Sequence, residues 1–512
     1  MATAACGPGR KTGPRHRAPT DFEMKGPVMF LRASAAGLLA ITIALPALAD
    51  PATPDGARRV EAALRTYLGP AEGLIEVTPE GDSYATTIDP AALFALARDT
   101  GITGAVAPIH LVLTDKGDGL WGVAQDEPMA LTLNIPGALS LDLRTVTSTW
   151  EGTFDTDLLA FTESQGSVGN MRLVERISEP QGPVTTVTYT LDRMDMQTSA
   201  VAATGGGVDG TLHYLATGLT ETVAVEGGPS AAAPMAFDMA AASYDVSTTT
   251  KGVETGAIYE LIAWAVAHPS QEAVTADFDG LKAAARAALP LWRNITGSGE
   301  MKDITVTTPF GSGGATSAHF EIDMNGIVSD GRFREQIAVK GLVLPTGLMP
   351  AWAPPLVPAE ATIDVAVSGF DLATPAQILL DEAQPGMPPS ADMNVRLLSA
   401  LLPDGTVTVT LAPGGVVAPS YSVDVEGGFD AGPGRMPEGG ITIGASGIEA
   451  AIDALNTAPE QVRSGGVPLL MMLRGIAKPS GVGRYVWQID MGADGKVLVN
   501  GLDMSSVAGA MK

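Results

Sequence analysis

The sequence predicts an α+β protein: extended antiparallel β-sheets with amphipathic helices packed on one face, in two loosely related halves. Three observations predict it. Apolar and polar residues alternate with period two over many short runs. Asp-Gly and Asn-Gly dipeptides stand between those runs, where two-residue hairpin turns need them. Segments of helical apolar period follow several of the runs. Alternation marks a half-buried antiparallel sheet, since parallel strands covered on both sides read as continuous apolar runs.

In chain order, the first element is an address. Lys25 and Arg32 give a positive start, residues 33–45 are an uncharged apolar run, and Ala47 and Ala49 are the small residues a signal peptidase reads. Cleavage is expected between Ala49 and Asp50. The run of 13 residues falls short of the roughly 20 that a spanning helix requires, so removal is expected rather than anchoring. Residues 1–23, with Arg10, Lys11, Arg15 and Arg17, precede a leader already complete from Met24, and a translation start at Met24 is expected. Setting aside 49 of 512 residues leaves 463. Cys6, the one cysteine of the chain, goes with them. Disulfides, zinc–thiolate sites, thiol nucleophiles and lipoprotein acylation are thereby excluded from the exported chain. Its core must hold it alone, which is feasible where a long chain buries about three quarters of its unfolded surface.

The expected organisation is a sheet-rich half over 50–250, a helical pair over 251–296 and a second sheet-rich half over 297–512. Strands are expected at 129–135, 139–143, 186–191 and 303–308, each with one apolar and one polar side. Turns are expected at Asp118-Gly119, Asn325-Gly326, Asp330-Gly331, Asp494-Gly495 and Asn500-Gly501, and 485–499 is the clearest hairpin. Helices are expected at 60–68, 91–101, 256–268, 275–289, 374–383, 448–455 and 458–474. Asp89 and Thr374, each followed by Pro, are the expected N-caps of two of them.

Charge excludes some partners. Loss of the leader removes six basic and two acidic residues, taking the net charge from −26 to −30. Nucleic acid is excluded, because phosphate binding rests on Lys and Arg displacing counterions. Direct adsorption to an anionic membrane is disfavoured for the same reason.

Catalytic motifs are missing. His110, His213, His268 and His319 are widely spaced, no H-E-x-x-H occurs, and each reads as a structural histidine. The chain has no G-x-S-x-G elbow and no P-loop. Residues Gly205 to Gly210 match G-x-G-x-x-G but lead into the strand-like 211–215, so they read as a turn and not as a dinucleotide site. Residues 115–119 and 490–494 are Asp-rich but lack the terminal glutamate of a calcium loop, and read as hairpin turns. No catalytic residue, metal ligand or cofactor is therefore assigned. The features least typical of a soluble core are apolar: the helix around Trp264, the loop 344–352 with Trp352, and the cluster 469–473. Each can be core. Trp264 and Trp352 are the candidates for an apolar binding surface.

The leader, the helix RRVEAALRTYLG (58–69) and the closing YVWQIDMGADGKVLVNGLDM (485–504) together resemble the secreted alphaproteobacterial family catalogued as domain of unknown function 2125. The resemblance spans nearly the whole exported chain and implies no assigned activity. The strand endings in Asn-Gly are also similar to those of larger AsmA-like envelope proteins, a likeness that implies lipid handling by analogy of fold alone. The resulting expectation is a non-catalytic periplasmic protein of the cell envelope that binds an apolar, lipid-like or protein partner. The alternatives are an exported hydrolase using Asp and Glu carboxylates, and a periplasmic solute-binding protein, which would need parallel βαβ units.

Overall fold

A computed structural model describes residues 52–92, 101–178, 182–227, 235–385, 387 and 390–504. The expected leader, with its cleavage point between Ala49 and Asp50, lies outside these residues, as does most of the helix expected at 91–101.

Helix α1 (Pro54–Leu68) starts where the Thr53 hydroxyl accepts from the Gly56 amide at 3.0 Å, and ends at Gly69, whose φ of 101° suits glycine. Its apolar stripe buries Ala57, Val60 and Leu64. The helix lies so close to the next strands that a side chain at Gly56 would overlap the Tyr84 ring and hydroxyl. Twelve strands follow: β1 (Ile75–Glu80), β2 (Ser83–Ile88), β3 (Thr103–Val106), β4 (Ile109–Gly117), β5 (Leu120–Asp126), β6 (Ala130–Ile135), β7 (Leu139–Arg144), β8 (Thr147–Asp155), β9 (Ala160–Ser178), β10 (Val184–Ala202), β11 (Val208–Glu226) and β12 (Met235–Val253). The β4–β5 turn is at Asp118-Gly119, both residues with positive φ. Strand β9 divides one of its edges. Residues 160–169 pair with β8, which leads through β5, β4 and β2 to β1, while residues 172–177 pair with β7, which leads through β6 to β3.

Helices α2 (Thr255–Ala267), α3 (Gln271–Ala276) and α4 (Phe278–Ala288) come next, then β13 (Asn294–Thr308), β14 (Gly311–Asn325), β15 (Gly331–Lys340) and β16 (Glu360–Phe370). Helices α5 (Ala373–Glu382) and α6 (Ala391–Leu401) precede β17 (Val407–Val417), β18 (Ser422–Ala431) and β19 (Glu438–Ser446). The chain closes with α7 (Ile448–Leu455), α8 (Glu460–Ile476), β20 (Lys478–Pro479), β21 (Arg484–Met491), β22 (Val497–Val499) and β23 (Leu502–Asp503). The hairpin expected at 485–499 is present as β21–β22.

Two expectations differ from the structure. The helical pair expected at 251–296 was to stand between two sheet-rich halves, yet β12 pairs with β13 across it over residues 238–251 and 294–307. The helices interrupt the chain and not the sheet, because both flanking strands keep an edge free for each other. The second difference is the N-cap of α5. Thr374 lies inside the helix, and the Asp371 carboxylate accepts from its amide at 2.8 Å and from its hydroxyl at 2.6 Å.

Every pairing among the described strands is antiparallel, from β9 in sequence order to β19 and then β21. Successive side chains therefore point to opposite sides, and the register sorts the chain into a polar and an apolar face. The polar face is laced by pairs within and between strands: Arg193–Asp195, His213–Asp245, Arg332–Asp323 and Arg484–Asp424. Its deepest pair joins β15 to β16. Arg334 grips Asp364 with two bonds of 2.9 and 2.6 Å, Gln336 adds a third at 3.2 Å, and Glu321 of β14 accepts from Arg334 at 3.1 Å. The carboxylates hold the Arg334 guanidinium pKa above its ordinary value. On the apolar face, α7 and α8 close one end. Ala445, Ile448, Ile452 and Trp487 form a buried cluster against Leu470 and Leu473, and the Trp487 indole donates to the Leu473 carbonyl at 2.9 Å.

The Arg334–Asp364 pair yields a stability prediction. The Asp364 side chain is 6% exposed and that of Arg334 37%. Arg334→Met should cost about 1–3 kcal/mol, less than the loss of a fully sealed pair because solvent screens the arginine. The double variant Arg334→Met/Asp364→Leu should recover most of it. Urea unfolding followed by circular dichroism checks both.

Candidate functional site

Register assembles on the apolar face what no local motif shows. One line of directly opposed residues starts at Val168 of β9. It continues through Met194, Ala216, Tyr244, Met301, Ala318, Val339, Ala361, Val416, Val423 and Ala445 to Tyr485 of β21. It crosses twelve strands without a charged side chain. At the strand spacing of about 4.8 Å this is a track of roughly 50 Å. A parallel line runs Met196, Tyr214, Val246, Gly299, Phe320, Ile337 and Ile363. Gly299 has a specific reason: any side chain there would overlap the Phe320 ring, which lies across the glycine. The next line is less pure, carrying Thr198, Thr248 and Glu335.

The apolar face is closed at its C-terminal end by α7 and α8, whereas the second line is open in its middle. Ile337 and Ile363, directly opposed, are 47% and 62% exposed. Helices α1, α2, α4, α5 and α6 touch one another in series. Tyr67 of α1 meets Tyr259 of α2 edge-on at 5.6 Å, and Arg286 of α4 pairs with Asp381 of α5. Helix α2 is strongly apolar yet fully buries none of its residues. Exposed apolar side chains continue onto this row at Ile262, Leu379 and Val395.

Inside the track Tyr214 and Tyr244 meet edge-on with ring centres 5.8 Å apart. Burial pushes both phenol pKa values up, and for Tyr214 the neighbouring Tyr244, which is also its hydrogen-bond partner, adds to the shift. The arrangement offers contact area and two hydroxyls, with no nucleophile–base pair among the residues that form it.

A concavity of about 1000 Å³ opens on the polar face between β2, β4, β5, β8, β9 and β10. It is the place to look for paired carboxylates. Glu127 is held by His110 at 2.6 Å, Glu151 by Gln165 at 2.5 Å, and Asp195 by two bonds from Arg193. Arg193 holds the Asp195 carboxyl below its ordinary range, the opposite of what a general acid needs.

The sequence candidates are not brought together. The Trp264 indole donates to Asp277 at 2.8 Å and stacks on His268 at 4.1 Å, which makes it a brace between α2 and the α3–α4 junction. Trp352 is half-buried in the connection after β15, at the opposite end of the strands from α2. The four histidines lie apart, each with a local partner: Glu127, Asp245, Asp277 and Glu321. The glycine-rich 205–207 is the β10–β11 turn. Arg293 donates to the carbonyls of Thr204, Gly205 and Gly206, so the turn presents acceptors to a cation, where a phosphate would need amide donors. Asp115 and Asp494 accept from the amides of Gly117 and Lys496 as turn residues do. Sequence reading missed Phe320, Ile337 and Ile363. The period-two pattern around Ile337 was available in 331–340, but the opposition of the three across strands was not.

No family model, no curated protein and no solved structure matches the chain.

The tyrosine pair gives a pH prediction. A folded-state pKa raised above the unfolded value of about 10 contributes stability fully below pH 10. That stability is lost as pH rises through the folded value. Ultraviolet titration should show part of the tyrosinate signal of the eight tyrosines appearing late, together with unfolding. Tyr214→Phe should remove part of that late signal and flatten the alkaline loss of stability.

Proposed function

We propose that this is an exported periplasmic protein of the cell envelope that binds an apolar, lipid-like partner along the apolar face and catalyses no reaction. The observation that carries this reading is the charge-free line of twelve directly opposed residues, with the parallel line beside it left open at Ile337 and Ile363. Soluble monomers usually cover contiguous apolar surface, and here Ile337 and Ile363 are exposed beside a line whose own residues are half-buried or buried. A ligand that lay across the strands would meet only aliphatic and aromatic side chains over a length no single helix here spans. Membership of the secreted family that the first helix and the closing hairpin resemble belongs to the same reading, as does removal of residues up to Ala49.

Binding by the sheet face is also favoured over carboxylate hydrolysis by the state of the polar concavity, where three of the five lining carboxylates, Glu127, Glu151 and Asp195, are each bonded to a neighbouring side chain. The solute-binding alternative lacks its premise, since the described strands pair antiparallel throughout.

The test is native mass spectrometry of protein purified from a periplasmic fraction. Bound lipid or another long apolar molecule is expected. Ile337→Asp and Ile363→Asp should lower its occupancy at least tenfold, because each places an unpaired charge in the track. Both sites are exposed enough that unfolding stability should change by less than about 1 kcal/mol. A small metabolite turned over by the protein, with occupancy of apolar ligand unaffected by both substitutions, would replace this reading.

A further inference from the structure

Exposed apolar side chains and uncharged loops coincide at one end of the sheet. The β13–β14 turn, the β15–β16 connection, the β17–β18 turn and the approach to β21 all emerge there. Their strand ends are in register: Lys340 opposes Glu360, Glu360 opposes Val417, Val417 opposes Ser422, Ser422 opposes Ser446 and Ser446 opposes Arg484. Residues 309–313, 341–359, 417–423 and 479–483 contain no Asp, Glu, Lys or Arg, in a chain with 57 acidic and 31 basic residues, and the charges beside them, Lys340, Glu360, Lys478 and Arg484, stand at the adjoining strand ends. They expose Phe310, Val343, Leu348, Val417 and Val482, and Met472 is exposed near the end of α8 that approaches β21. The opposite end differs: its turns carry Asp330, Arg435, Asp494 and Lys496.

These loops are held as a surface. Gly347 donates to the Phe310 carbonyl and Val343 exchanges two bonds with Gly314. Ser420 donates to the Pro355 carbonyl through both its amide and its hydroxyl, and Tyr421 donates to that of Leu356. The apolar residues are thus displayed rather than folded inward, while the backbone groups around them are bonded to one another.

We infer that this end docks on the surface of an uncharged lipid bilayer, its apolar side chains entering between the head groups. Charge selects the occupant. The rest of the acidic molecule cannot approach hydrocarbon without desolvating carboxylates, and an uncharged tip can. A protein partner would be expected to meet unpaired donors and acceptors at about one hydrogen bond per 100–200 Å², and here the backbone groups named above already bond each other. Trp352 sits in the same uncharged connection, and tryptophan favours the membrane–water boundary. The inference goes beyond ligand binding by the apolar face and stands or falls separately from it.

The test is flotation, with phosphatidylcholine vesicles, of the protein purified from a periplasmic fraction. Phe310→Asp, Leu348→Asp and Met472→Asp should each lower the bound fraction roughly tenfold. Val201→Asp and Met436→Asp, equally exposed at the opposite end, should leave it unchanged, with circular dichroism confirming the fold of all five. The tryptophan emission shift on binding should shrink in Trp352→Phe. Addition of phosphatidylglycerol should weaken binding. Absence of flotation, equal loss from variants at both ends, or tighter binding to anionic vesicles would overturn the inference. Self-association abolished by the three docking-end variants, with flotation unaltered, would assign the surface to a second copy of the chain.

Discussion

The structure depends on unbroken antiparallel register. Because side chains alternate along a strand, a slip of one residue would turn every side chain of that strand to the other face. From β9 to β21 the register holds, with irregularities confined to a few places such as residues 412–414 of β17. Both faces follow from this single constraint. Opposed residues on one side build the apolar track, and those on the other build the ionic lacing that includes Arg334 and Asp364. Neither face could exist without the other, since the same backbone pairing aligns both.

The two faces divide the energetic labour. Helices bury apolar side chains at Val60 and Leu64 of α1 and at Ile452 of α7 with Trp487 of β21, and strands bury others, among them Leu113, Trp121, Phe154, Val187, Leu191 and Val246. Along the sheet, backbone pairing and cross-strand side-chain contacts, each worth a few tenths to about 1 kcal/mol, add to this burial. The polar face neutralises itself locally through Arg193–Asp195, Lys251–Asp209 and Arg484–Asp424, which limits repulsion in an acidic chain. Exposed pairs of this kind contribute little singly. Their arrangement matters more for keeping carboxylates from facing one another across strands. The open middle of the apolar face is thus tolerated by a sheet anchored at both ends.

Much of the fold was legible locally. The alternation at 129–135 and 186–191, the Asp118-Gly119 turn and the hairpin 485–499 appear where the sequence places them, because period and turn chemistry act over a few residues. The helices expected at 60–68, 256–268, 275–289 and 458–474 appear close to their expected bounds for the same reason. The cap of α5 was misread because Asp371 and Thr374 are both capping residues three positions apart, and only backbone geometry chooses between them. The division near residues 250–297 was misread because a helical insertion looks like a boundary in one dimension. The candidate surface was legible only in fragments. The apolar 344–352 and 469–473 stood out as composition, whereas Ile337 and Ile363 look like ordinary strand residues until they are opposed.

The amino-acid sequence by itself determined which side of each strand is apolar, where most turns fall and how little charge the loops at 309–313 and 341–359 carry, since these are properties of neighbours in the chain. Tertiary structure alone decided that β12 rejoins β13, that the lines of residues from Val168 to Tyr485 are collinear, and that four uncharged loops share one end. The reason is physical: strand pairing is made by backbone groups that are the same for every residue, so the choice of partner is written in the packing of the whole sheet and not in any local stretch.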